Sequence, residues 1–120
     1  MDAVAVVDTI HWIFAFLVLL CAVTMGWMQV GQRVMMTVIG IQVLIGIVFA
    51  AMLGAGLAAV GPRIAEHIAG ALLAMGAYMA ARRLGAKGAS RGLVLLLAAI
   101  GLLLLIGTAY LGLKMHGRIA

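Results

Sequence analysis

Four apolar runs, each long enough to cross a lipid bilayer, take up most of this 120-residue chain. A spanning helix needs ~20 predominantly apolar residues. The runs are Val4–Val30, Val34–Ala58, Pro62–Ala81 and Gly92–Leu113, and the Lys and Arg fall in the gaps between them or close to the ends of the runs. Hydrophobic residues make up 68% of the chain and charged residues only 9%. A water-soluble domain of this size has too little interior to hide that surface. The sequence therefore predicts an all-α integral membrane protein with one four-span domain, residues 1–120. The connections "GQR", "AAVG" and "RRLGAKGASR" are short, so consecutive spans must run antiparallel as a four-helix up-and-down bundle. The first run opens with Asp2 rather than a basic segment. It also exceeds the ~7–15-residue apolar core of a cleavable signal, so it is expected to be a retained span.

The net charge of +5 does not point to nucleic acid, because the basic residues sit at span ends, where they set orientation and meet anionic lipid. Arg33, Arg82, Arg83, Lys87 and Arg91 fall on one side. Arg63, Lys114 and Arg118 fall on the other, with all three acids, Asp2, Asp8 and Glu66. That asymmetry places both termini on the extracytoplasmic side of a plasma (inner) membrane. Gly46, Ala50 and Gly54 form a small-residue stripe suited to close helix packing. Pro62 and Glu66 suit the start of the third helix. Trp12 and Trp27 bracket the first span as interfacial anchors. Span four, "LVLLLAAIGLLLLIG", reads as the most lipid-facing helix. Cys21 has no second cysteine to pair with and reads as buried apolar filling, as do the nine scattered methionines.

The informative residues are the polar ones in the spans. His11 lies about two turns into the first span and His67 more than one turn into the third, at ~1.5 Å per residue. The two imidazoles therefore sit at similar depth on parallel helices of one bundle. An ionisable group there is expensive, and its default reading is functional, although a single His can simply hydrogen-bond a neighbouring helix. A pair at matched depth meets the need of a haem iron for one nitrogen on each face. Gly70, Ala71 and Ala74 beside His67, and Ala15 beside His11, would leave a slot for a flat ring. Gln42 could hydrogen-bond across the core, and Arg63, with Lys114 and Arg118, could meet propionates. Asp8 and Glu66 either complement helix starts or act as partners and proton-handling groups near the iron. His116, in "KMHGR", reads as a solvated residue just past the last span.

Three segments carry a resemblance. "DTIHWIFAFLVLL", "IGIQVLIGIVFAAML" and "AEHIAGALLAMGAY" resemble one four-helix half of haem A synthase, the membrane enzyme of cytochrome oxidase assembly. In that family each half carries acid–x–x–His on one helix, Q-x-x-x-G-I on the next and a second His opening the third. The matching residues are Asp8 and His11, then Gln42 with Gly46 and Ile47, then His67 with Ile68 and Ala69. The likeness covers the first three spans, and the fourth matches only as a Leu-rich helix. It implies haem b held by His11 and His67, and oxidation of the methyl group of haem O to the formyl of haem A. It also implies Asp8 at the place of the family's catalytic Glu, and homo-oligomerisation to supply the second half of an eight-span architecture. The chain departs from the family in having Asp for Glu, Trp12 where Arg is usual, and no outer-loop cysteine pair. Other classes stay open: an electron-transfer b-type cytochrome with an unknown electron donor, a small proton-coupled transporter, or a zinc or copper site.

Overall fold

The computed structural model describes residues 2–54 and 63–119, with side chains described as far as His116. It is all helical among these residues. The elements are α1 (Ala3–Met25), α2 (Gln29–Leu53), α3 (Arg63–Ala86) and α4 (Arg91–Ile119). All four are long and apolar enough to cross a membrane, so the chain is a multi-pass membrane protein built as a four-helix bundle, 48 × 26 × 18 Å.

The helix ends differ from the sequence reading for local reasons. Asp2 caps α1, its carboxylate accepting from the Ala5 N–H at 2.7 Å. The first span stops at Met25 rather than Val30, because Gly26 closes the helix on the Cys21 and Ala22 carbonyls. "GQR" therefore lies inside α2. Thr9 and Thr24 return their hydroxyls to the carbonyls of Ala5 and Leu20, which satisfies them where water is absent. At the far end α3 runs on through Arg82 and Arg83, and the long basic connection shrinks to a turn at Lys87–Ser90. That turn needs Gly88, whose φ of 82° an L side chain rarely adopts. α4 extends two turns beyond Leu113 and carries His116 on the helix instead of past it. The "AAVG" connection lies outside the described residues.

α1 packs on α2, α2 on α3 and α3 on α4, with a thinner seam between α4 and α1 closing the ring. α1 and α3, which carry the two core histidines, thus face each other across the diagonal. The core runs through Val18 and Ala22, Met35 and Ile39, Ala74 and Tyr78, Ala98 and Leu105. Side chains such as Phe16, Leu73 and Leu103 point outward and cover the surface with apolar area. Span four is not the most lipid-facing helix. Of its most apolar stretch 22% is buried, as in α3, against only 6% in α1. The reason is that Gly101 of α4 receives the ring of Tyr78, which draws α3 and α4 together.

Candidate functional site

His11 and His67 point into the bundle and meet. Their ring centroids are 6.3 Å apart, with planes at 71°. Each ring lies against a glycine of the helix that pairs with its own. A Cβ on Gly46 of α2 would come within 3.3 Å of His11 Cε1, and a Cβ on Gly112 of α4 within 3.1 Å of His67 Cε1. In the small-residue stripe of α2, Gly46 is where the His11 ring of α1 approaches. Gly46 and Ala50 border the cavity in front of His11. Gly54 ends the helix at φ 53°.

The polar partners of the two rings differ. His67 Nδ1–H donates to the Thr108 carbonyl at 2.8 Å. A carbonyl can only accept, so the proton is on Nδ1 and the Nε2 lone pair is left free. His11 Nδ1 is buried without a hydrogen-bond partner, and its ring stacks on Phe49 at 6.1 Å. Gln42 reaches this helix too, but it grips the backbone. Its Nε2–H donates to the His11 carbonyl at 3.0 Å.

A cavity of about 120 Å³ lies between the histidines, bounded by Asp8, Ala15, Gln42, Gly46, Ala71 and Gly112 among others. Four polar atoms around it are buried with no hydrogen-bond partner: Asp8 Oδ1, His11 Nδ1, Gln42 Oε1 and Thr108 Oγ1. Native interiors leave few such atoms unsatisfied, so their concentration here marks a place with room for a polar partner.

Asp8 stands at the mouth. Its Oδ2 accepts from His116 Nε2 at 3.0 Å, across the thin α1–α4 seam. Trp12 packs edge-on against the His116 ring at 5.6 Å, so Trp12 belongs to this mouth as well as to the membrane boundary. His116 is therefore not a solvated terminal residue. The extra turns of α4 bring it over α1.

Other residues named from sequence fall elsewhere. Ala71 and Ala15 line the cavity, as does Gln42. Gly70 does not, because the room it leaves is filled by the Thr108 side chain. Ala74 is fully buried in the core, below the cavity. Glu66 is exposed and Arg63 half-exposed at the start of α3, and neither borders the cavity. Lys114 lies over the Tyr110 ring at 5.0 Å. Sequence reasoning missed Thr108 and Gly112, and took His116 for a solvated residue. Thr108 and Gly112 repeat the four-residue spacing of Gln42 and Gly46, a signal hidden in a run of leucines.

The arrangement sets two imidazoles on either side of a small cavity, their centroids 6.3 Å apart. A metal bound at ~2.0–2.1 Å by one nitrogen of each of two opposed imidazoles sets their ring centres roughly 6–6.5 Å apart. No set of three or more His, Cys, Asp or Glu gathers as a metal site among the described residues. The donor set is thus a pair, which suits a metal whose other ligands come with it. No protein-family model, characterised protein or solved structure matches the chain.

Proposed function

We propose that this chain is a membrane haem protein in which His11 and His67 are the axial pair, and that it acts in the oxidation of haem O to haem A. The observation that carries the haem reading is the opposition of the two rings at 6.3 Å on diagonal helices that do not pack closely on each other. The free Nε2 of His67, the unpartnered Nδ1 of His11 and the glycine under each ring fit an axial role. The Thr108 carbonyl on His67 is the kind of outer partner that orients a metal-bound imidazole. The enclosed 120 Å³ is less than the ~300–1,000 Å³ of ordinary ligand pockets. A macrocycle therefore needs the α1–α4 seam to part. That seam is the least packed edge of the bundle.

When bound, haem iron supplies one-electron and oxygen chemistry. The chain's own residues hold and shield it. Ala15 and Ala71 keep the walls close without filling the gap, and Val18, Ile39 and Leu105 keep water out. Asp8, with one carboxylate oxygen unpartnered at the cavity, is the group placed to hold or pass a proton there. The protein sits in the plasma (inner) membrane with both termini extracytoplasmic, and a second copy supplies the second bundle that the resemblance implies.

A second reading, an electron-transfer b-type cytochrome without synthase activity, is favoured by one feature. The other Asp8 oxygen is tied to His116, which limits its freedom as a catalytic acid.

The first test is the visible spectrum of the purified protein. An intense haem band that is lost or altered in His11→Ala and His67→Ala supports the axial pair, and a spectrum unchanged in both variants refutes it. Co-expression with a source of haem O, followed by haem extraction, separates the two readings. Hydroxylated or formyl haem supports the synthase, and unmodified haem leaves the carrier.

A further inference from the structure

In lipid no hydrophobic force presses one helix onto another, so a seam stays shut through side-chain packing and hydrogen bonds. The two halves of the α1–α4 seam are closed by different means. At the end away from the histidines α3 supplies a plug. The ring of Tyr78, fully buried, lies between Gly26 at the close of α1 and Gly101 of α4, where added Cβ atoms would come within 3.1 and 2.7 Å of it. Val18 and Ala22 of α1 and Ala98 and Leu105 of α4 are buried in the same cluster.

At the histidine end that packing stops. Among the described residues, α1 buries nothing before Val18, and beyond Leu105 α4 buries only Met115. Three side chains close the seam here. Asp8 Oδ2 accepts from His116 Nε2 at 3.0 Å, and Trp12 lies edge-on to the His116 ring at 5.6 Å. Trp12 also reaches Gly112, where a Cβ would lie 3.7 Å from its Cη2. Asp8, Trp12, Gly112 and His116 all border the histidine cavity, so these contacts form its wall on the seam side. The wall is thin, with the His116 and Asp8 side chains 36% and 25% exposed. A pair so exposed holds weakly.

We propose that α1 and α4 part at the histidine end alone, pivoting about the Tyr78 plug, and that the gap is a side door through which a flat apolar ligand dissolved in the bilayer reaches the histidines. Trp12 is the leaf of this door and the Asp8–His116 bond its bolt. The other three seams of the ring are more closely packed, so this edge yields first. That the ligand is a haem rests on the function proposed above. The door itself rests on the contacts alone.

The test uses the full-length protein in lipid nanodiscs, which leave both ends of the bundle open to water. Cys21→Ala removes the only native thiol, and Ala15→Cys puts a new one on the cavity wall. Its labelling rate is followed with pyrenylmaleimide, flat and lipid-soluble, and with an anionic methanethiosulfonate that stays in water. Adding His116→Ala should speed pyrenylmaleimide about threefold, the loss of one partly exposed pair. Adding Trp12→Ala should speed it about tenfold, since an aromatic leaf contributes more contact than the bolt. Phe16→Ala, which trims an outward-facing side chain of the same helix, should leave the rate unchanged and so controls for general loosening. Pyrenylmaleimide labelling that is absent or unchanged in both door variants overturns the proposal, as does an equal gain in Phe16→Ala or a gain confined to the water-soluble reagent. Haem uptake by the same door variants, without the Ala15→Cys change, should quicken in the same order and reach the same final spectrum. Absence of haem uptake in every variant would refute the haem reading and leave the door decided by the labelling rates.

Discussion

The two hairpins, α1–α2 and α3–α4, solve the same problem with different rigidity. Each sets a histidine of its first helix against a glycine of its second, His11 on Gly46 and His67 on Gly112. Each carries a polar residue one turn before that glycine, Gln42 or Thr108. In the second hairpin the polar contact reaches the imidazole itself and fixes its tautomer and tilt. In the first it reaches only the backbone, and the ring is held by stacking on Phe49. One ring is thus preset and the other can adapt. A site that must close on something inserted between two walls gains from that asymmetry, since a fixed donor sets the geometry and a mobile one follows.

The sharpest way to break this comparison is to remove each ring. His67→Ala should abolish haem retention, whereas His11→Ala should leave weak retention with an altered spectrum, because the oriented donor survives. Equal loss in both would show the two rings to be equivalent. Next come the glycines. A Cβ at Gly112 meets a ring that its Thr108 bond keeps from moving, so Gly112→Ala should destabilise by about 2–3 kcal/mol, the upper part of the overpacking range. Gly46→Ala meets a ring free to give way and should cost about 1 kcal/mol or less. Thermal unfolding of the two variants side by side measures the difference, and a reversed order would contradict the assignment of the rigid ring. His116→Ala should cost about 0–1 kcal/mol, because the pair with Asp8 is partly exposed. Its effect should appear instead as faster ligand exchange through the α1–α4 seam. Smallest of all is Thr108→Val. The carbonyl, not the hydroxyl, holds His67, and the hydroxyl has no partner. Stability and spectrum should both stay within error.

The fold was legible because its signal is carried by composition. Spans of ~20 apolar residues can only be helices in lipid, and short connections make neighbours antiparallel. The boundaries were less so, since a Gly-capped end such as Gly26 and a continuing helix such as α3 through Arg83 look alike in apolar text. Of the residues that border the cavity, His11, His67, Gln42, Ala15 and Ala71 were named from the sequence. Gly70 was misread because its gap is filled from α4, a neighbour that periodicity along α3 does not reveal. His116 was misread because the length of α4 decides whether it is a tail or a lid.

The chain by itself settled that lipid is the solvent, that four helices alternate in direction, and that two imidazoles share a depth. Each follows from local quantities: hydropathy, rise per residue and loop length. Only the assembled bundle decided that the two rings lie on the diagonal and face one another, that Gly46 and Gly112 receive them, and that Asp8 is held by His116. Those depend on the rotation of each helix about its own axis, which is set by the fit of side chains between neighbours and leaves no periodic trace in helices apolar on every face.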